Sequence, residues 1–144
     1  MKPRRSLLMA ALALIALHGC GQAQGPSVTV RDAWSPAAPP GAAVVAIYGE
    51  LIADRDDVLI RIRTPAADRV ELHATSEENG MMKMRPVTRL ELKAGTPVQL
   101  APGGMHLMVM GLHEPIAAGG EIPVTFEFEH AGKIAVSARV NAPQ

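Results

Sequence analysis

Apolar and polar residues alternate along most of the chain after residue 26. Segments such as Ser27–Trp34 carry an apolar side chain at about every second position, the period of a β-strand with one buried face. Turn-forming pairs such as Asn79-Gly80 and Gly103-Gly104 separate the apolar runs. No window has the period of a long amphipathic helix. The pattern predicts strands at Ser27–Trp34, Ala42–Ile52, Val58–Arg63, Arg69–Ala74, Met81–Pro86, Leu90–Lys93, Pro97–Leu100, Met105–Met110, Ile122–His130 and Lys133–Val140.

Many short strands at regular spacing predict an all-β fold, a single antiparallel β-sandwich or barrel. We assign this folded domain to residues 27–142, which is enough chain to bury a stable core without disulfides. The core is expected to be aliphatic and rich in methionine, because only four residues are aromatic: Trp34, Tyr48, Phe126 and Phe128.

The N-terminal segment has the layout of a secretory signal peptide. Met1–Arg5 is basic, and the eleven-residue apolar run Leu7–Leu17 follows it. A run of this length is too short to span a membrane as a helix, which takes about 20 residues. The mature protein is therefore expected to be exported and to face the periplasm.

The end of that segment, Leu17-His18-Gly19-Cys20, resembles the bacterial lipobox. The resemblance implies that residues 1–19 are a lipoprotein signal peptide and that Cys20 becomes the lipidated first residue, anchored to the membrane. Residues 20–26 are then a short tether. The alternative is simple cleavage near Ala23, with Cys20 discarded.

The charge balance argues against a nucleic-acid partner. The full chain has 14 basic and 14 acidic residues, but three of the basic residues precede residue 20. Without the first 19 residues, 11 basic and 14 acidic residues remain, a net charge of 11 − 14 = −3. Phosphate binding needs clustered Lys and Arg. The single Cys also excludes an internal disulfide and any CxxC site.

Methionine and histidine are concentrated in one part of the chain. Of the seven methionines beyond Met1, six lie at positions 81, 82, 84, 105, 108 and 110. Residues two apart in a strand share a face, so His106 and Met108 point the same way. Met84 lies across the Asn79-Gly80 turn from His73. The pattern therefore allows two imidazoles and two thioethers to meet, a soft and neutral donor set that favours Cu(I) over zinc, calcium or magnesium.

Ordinary packing explains several of these residues equally well. Methionine fills gaps in apolar cores, and we assign Met81 and Met105 to the core by default. Met82 and Met110 share strand faces with Met84 and Met108, so they either shield or supplement that donor set or pack in the core, which we take as the default. His113 and His130 are interpreted as surface residues. Glu71 shares a strand face with His73, where a carboxylate either orients the imidazole ring or is simply a solvated charge.

The spacing His73-x10-Met84-x21-His106-x-Met108 resembles the signature of the PCuAC family of periplasmic copper chaperones. The flanking segments Asp68–His73, Gly80–Val87 and Pro102–Leu112 resemble that family as well, and the likeness runs from about Val28 to Val140. One departure is Ala74, where many relatives have a further methionine.

The resemblance implies a cupredoxin-like fold and a Cu(I) site formed by His73, Met84, His106 and Met108. It also implies delivery of copper toward the CuA centre of cytochrome c oxidase. The expected partner is the oxidase copper subunit or a Sco-type thiol protein, and the carrier itself is expected to be a monomer.

Three other functions stay open on the sequence alone. A copper-buffering protein for tolerance would use the same site. A structural β-sandwich lipoprotein would bind no metal. An enzyme is disfavoured, because the sequence contains no GxSxG or HExxH motif and no Cys within the predicted domain.

Overall fold

The computed structural model describes residues 27–142, and all regular secondary structure among them is β. The predicted signal peptide, the tether and Cys20 lie outside the described residues. The strands are β1 Val28–Pro36, β2 Val44–Ala53, β3 Asp57–Arg63, β4 Ala67–Glu78, β5 Met81–Pro86, β6 Leu90–Leu92, β7 Val98–Leu100, β8 Met105–Leu112, β9 Glu121–Phe128 and β10 Gly132–Asn141. The described residues, 27–142, include no helix long and apolar enough to cross a membrane.

Each predicted strand is present, and the prediction of an all-β domain is confirmed. The largest difference is in β4, which continues four residues past Ala74 to Glu78. These additional residues are polar and half-buried or exposed, and they pair with β5 in a hairpin that turns at Asn79-Gly80. The apolar alternation fades there because neither side of the hairpin end faces the core.

The strands form one continuous sheet in the order β5-β4-β8-β2-β1-β10-β9-β3-β6, with β7 also pairing with β2. Strand β2 joins the two halves: Val44–Ile47 pair with β8, whereas the following residues pair with β1 and β7. All the pairs are antiparallel except β1 with β10, which run parallel along Trp34–Pro36. This departs from a wholly antiparallel sandwich. Parallel neighbours need a long connection, and β1 and β10 satisfy this because the rest of the domain lies between them.

The inner faces of the two halves pack into one hydrophobic cluster. Leu107 and Val109 of β8 come from one half, and Phe126 and Phe128 of β9 come from the other, and each is no more than 2% exposed. The two phenylalanine rings are stacked, with centroids 6.3 Å apart. Alternate side chains of β8 therefore face away from the core, and these include His106 and Met108.

The expectation of a methionine-rich core is wrong. None of the buried hydrophobic residues in the described part of the chain is a methionine, and Met105 only packs against the margin of the cluster. Met81 and Met82 are each 61% exposed, although both were assigned to the core. The physical reason is the position of β5, which has a neighbouring strand on one side only. Neither face of β5 is covered, and all six of its residues are exposed.

A β-bulge in β1 interrupts the antiparallel pairing of β1 with β2. The register shifts between Arg31 and Trp34, and Asp32 has a positive φ of 49°. Gly49 lies opposite the bulge, and a Cβ at this position would be 2.9 Å from the carbonyl oxygen of Arg31. Glycine therefore permits the close approach of the two strands. Beyond the bulge, Trp34 pairs with Tyr48 and their ring centroids are 4.9 Å apart.

Asp57, at the start of β3, anchors the turn between β9 and β10. Its side chain is fully buried, and its carboxylate accepts backbone N–H groups of Val58, His130 and Ala131 at 2.7, 3.0 and 2.8 Å. Burial by itself would raise the pKa of Asp57, but these N–H donors outweigh it and hold the pKa below its usual range. The sequence pattern leaves Asp57 between two predicted strands and gives no sign that its side chain is buried.

We predict that Asp57→Ala destabilises the domain by about 3 kcal/mol, because it leaves buried N–H groups without an acceptor. The lowered pKa also makes stability depend on pH. The ionised carboxylate stabilises the fold above the unfolded-state pKa of about 3.9. That stabilisation is lost as the pH falls through the lower pKa of the folded state.

Urea unfolding at pH 7 and pH 3 checks this prediction. The loss of stability between the two pH values should be smaller in Asp57→Asn than in the wild-type chain. Asp54→Asn replaces an exposed acid in the turn between β2 and β3 and is the matched control. Its stability should depend on pH as that of the wild-type chain does. Equal losses in the wild-type chain and Asp57→Asn would contradict the role of the carboxylate.

Candidate metal centre

Two imidazoles meet on the outer face of the β4–β8 pair. His73 of β4 is paired directly with His106 of β8, and their ring centroids are 6.0 Å apart with an interplanar angle of 74°. The preceding residue on β4 and the following residue on β8, Leu72 and Leu107, pair with each other on the core side. Because side chains alternate across a strand, burying this leucine pair turns both imidazoles outward.

Both predicted thioether ligands project from the face of the sheet that carries the two imidazoles. Met108 lies two residues after His106 on β8 and pairs with Glu71 of β4. Met84 of β5 pairs with Thr75, two residues beyond His73, whereas Pro86 lies directly opposite His73. Met84 is therefore a diagonal neighbour of His73 and not its direct partner across the hairpin. The register brings the four predicted residues to one face of three adjacent strands, β5, β4 and β8.

Exposure differs greatly among the four side chains. His106 is buried, with 5% of its surface exposed, and its ring lies 6.3 Å from that of Tyr48. The side chain of His73 is 14% exposed, and Met108 is half-buried. Met84 is 49% exposed because it lies on the edge strand. The site is therefore closed on the β2 side and open toward β5.

The hydrogen bonds of the two imidazoles determine which nitrogen atoms keep a lone pair. His106 Nδ1 lies 3.1 Å from the carbonyl oxygen of Gly104, and His73 Nε2 lies 2.9 Å from Glu71 Oε2. Carbonyl and carboxylate oxygens only accept, so these two nitrogens carry the hydrogens. The lone pairs then belong to His106 Nε2 and His73 Nδ1.

His73 Nδ1 is buried and has no hydrogen-bond partner. Buried polar atoms are nearly always satisfied, and an unsatisfied one calls for an explanation. A metal ion that accepts this lone pair would supply one, since the other donors on this face are those that a soft cation prefers. In residues 27–142 no three His, Cys, Asp or Glu side chains are grouped to hold a metal, so the donor set here depends on the thioethers.

The surroundings of the site include residues that the sequence pattern left undecided. Glu71 contacts His73, so the carboxylate is more than a solvated charge. Met110 is half-buried beside the site, and its Sδ accepts a hydrogen bond from Arg69 Nη2 at 3.5 Å. Tyr48 is a neighbour of His106 that the sequence gives no sign of, because the two residues are brought together only by the pairing of β2 with β8.

The other two histidines in the described part of the chain, His113 and His130, are exposed, as the sequence predicts. The side chain of His113 is 54% exposed and lies 3.0 Å from Asp68 Oδ1. That of His130 is 67% exposed and contacts the buried Asp57. Neither joins the pair formed by His73 and His106.

A family model described as "Putative lipoprotein LpqE-like" matches residues 28–140 of the chain. The chain is also similar to "Putative lipoprotein Lxx21020" of Leifsonia xyli subsp. xyli, with 32% identity over 149 residues. That alignment covers 94% of this chain and 88% of the relative.

The chain is also similar in fold to several solved structures. The solution structure of CuI-DR1885 from Deinococcus radiodurans is 30% identical with a TM-score of 0.64, and the match covers 88% of this chain and 85% of that one. The copper-bound PCuAC domain from PmoF2 is 24% identical with a TM-score of 0.68, covering 81% and 94%. These likenesses confirm the predicted cupredoxin-like β-sandwich. The four ligands themselves stay a prediction.

The hydrogen bonds predict that the two facing histidines are opposite tautomers in the metal-free protein. His106 is expected to carry its hydrogen on Nδ1 and His73 on Nε2, because Gly104 and Glu71 present acceptors to those atoms. Long-range ¹H–¹⁵N correlation spectra at alkaline pH identify the protonated nitrogen of each ring. His106 protonated on Nε2 would contradict the assignment.

Proposed function

The chain belongs to the LpqE-like lipoprotein family, and we propose that it is an extracytoplasmic Cu(I) carrier. His73, Met84, His106 and Met108 would hold the ion. The observation that carries the proposal is the buried and unpartnered Nδ1 of His73. It lies on the face that also presents the second imidazole and both thioethers.

The donor atoms support copper in its reduced state. His73 Nδ1 and His106 Nε2 would supply two nitrogen ligands, while their other nitrogens are held by protein acceptors. Thioether sulfur is soft and uncharged, which suits Cu(I) and does not suit calcium or magnesium. Thioethers also resist the oxidation that removes exposed thiolates outside the cytoplasm. The Cu(I) in the name of the neighbour that is 30% identical, CuI-DR1885, agrees with this choice.

The gradient of exposure supports transfer of the ion over permanent retention. His106 and His73 are mostly shielded, whereas Met84 is about half exposed on an edge strand. A partner's ligand would reach the ion from the β5 side and displace Met84 first, with the histidines released last. The recipient that the sequence resemblance implies is a cytochrome c oxidase copper subunit or a Sco-type thiol protein. This role is one of binding and delivery, without catalysis.

Attachment to a membrane would follow from the N-terminal segment. The family and the curated relative are both described as lipoproteins, which supports lipidation of Cys20 after removal of residues 1–19. The tether of residues 20–26 would leave the copper domain on the periplasmic side, within reach of a membrane-bound recipient.

We predict that the full chain carrying Cys20→Ser binds one equivalent of Cu(I) under anaerobic conditions, measured by competition with a colorimetric chelator. Replacing Cys20 removes the only thiol. His106→Ala and Met84→Leu each remove one ligand, and we expect each to weaken binding by roughly 100-fold or more, beyond the effect usual for residues outside the ligand set.

Met81→Leu is the matched control for Met84→Leu. Met81 lies on the same edge strand with a similar exposure, but it points to the other face. It should bind Cu(I) as the wild-type chain does. Unchanged binding in His106→Ala or Met84→Leu would contradict the site, and a chain with no Cu(I) affinity would leave a structural role.

Delivery to an oxidase is tested in the source organism. A strain lacking this chain should lose cytochrome c oxidase activity at limiting copper and regain it with the wild-type gene but not with His106→Ala. Normal oxidase activity together with increased sensitivity to excess copper would contradict delivery and support copper buffering.

A further inference from the structure

We propose that Glu71 is a positioning residue for the copper site, acting through His73. This inference rests on the proposed function, because it concerns the orientation of one of the four proposed ligands. Glu71 is not a ligand in this account: its Oε2 is engaged with the far side of the imidazole, at 2.9 Å from His73 Nε2.

The hydrogen bond acts on the ring in two ways. It holds the hydrogen on Nε2, so the lone pair stays on Nδ1, the nitrogen that is buried without a partner. It also resists rotation of the ring about its bond to Cβ, which would exchange the positions of the two sides of the imidazole. A carboxylate that accepts from the outer nitrogen of a metal-bound histidine fixes the ring and raises its basicity.

Glu71 is itself held in place by a second contact. Its Oε1 lies 3.3 Å from Arg69 Nε, two residues earlier on the same face of β4. Arg69 in turn donates to Met110 Sδ through Nη2. The carboxylate therefore has one oxygen directed to the imidazole and one to the guanidinium, and it is less free to turn toward solvent than a lone surface glutamate.

The neighbouring acid on this face lacks these contacts. Glu77 lies six residues after Glu71 on β4, so both face the same side of the sheet, but Glu77 pairs with Met82 at the exposed end of the hairpin. It makes no hydrogen bond to either imidazole in the described structure. Glu71 and Glu77 are thus a matched pair that differ in contact with His73.

Three variants of the full chain carrying Cys20→Ser test the inference: Glu71→Leu, Glu71→Gln and Glu77→Leu. We expect Glu71→Leu to weaken Cu(I) binding by roughly 10–100-fold, the effect usual for such outer partners of metal-bound histidines. Glu71→Gln keeps an oxygen acceptor for Nε2–H and should restore most of the affinity. Glu77→Leu should bind Cu(I) as the wild-type chain does.

The metal-free protein supplies a readout that does not depend on copper. The Nε2–H proton of His73 should give a resolved NMR signal in the wild-type chain and in Glu71→Gln, because the hydrogen bond protects it from exchange. The signal should disappear in Glu71→Leu, while the thermal midpoint of unfolding stays close to that of Glu77→Leu. A purely structural role would instead lower the thermal midpoint and leave the affinity of the folded protein unchanged.

Two failures are distinguishable. Equal Cu(I) affinity in the wild-type chain and Glu71→Leu would overturn the positioning role and leave the proposed copper site intact. A wild-type chain that binds no Cu(I), while the Nε2–H signal is present, would overturn the proposed function and with it the role of Glu71 in copper binding.

Discussion

The register between β4 and β8 is the constraint on which the site depends. On the core side, Leu72 and Leu107 pair and are almost completely buried. A slip of β4 by one residue would expose Leu72 and turn His73 toward the core, so the hydrophobic effect holds the register. The two imidazoles face each other on the outer side as a direct consequence. Stability of the core and geometry of the candidate site are therefore the same property of this strand pair.

The site combines shielding of the histidines with access to one thioether. Strand β2 and the ring of Tyr48 cover the side of His106. The hydrogen bonds that the imidazoles donate to Gly104 and Glu71 leave one lone pair on each ring. Met84 projects from a strand that has a neighbour on one side only. The same edge that exposes Met84 also exposes methionines that the sequence pattern had assigned to the core. An open edge would suit the proposed release of the ion to a partner.

Local alternation predicted each strand because a strand buried on one face has a fixed period of two. The same period showed that His106 and Met108 share a face, which the structure agrees with. Alternation did not identify the exposure of Met81 and Met82, because the position of β5 at the edge follows from the order of strands in the sheet. Nor could alternation show that Asp57 is buried beneath a turn that is distant in the sequence. It also could not show that Glu71 contacts His73, because a glutamate two residues before a histidine has the same position on the strand whether it contacts the ring or only water. The bulge at Asp32 depends likewise on the close approach of Gly49 on β2, which is far from Asp32 in the sequence.

Copper K-edge X-ray absorption of the chain carrying Cys20→Ser, loaded with one equivalent of Cu(I), tests the central claim most directly. We predict a reduced copper ion that is coordinated directly by two imidazole nitrogens and two sulfur atoms. Because the only thiol is absent from this variant, any sulfur must be thioether. A shell without sulfur, or one with sulfur but without imidazole, would contradict the site formed by His73, Met84, His106 and Met108.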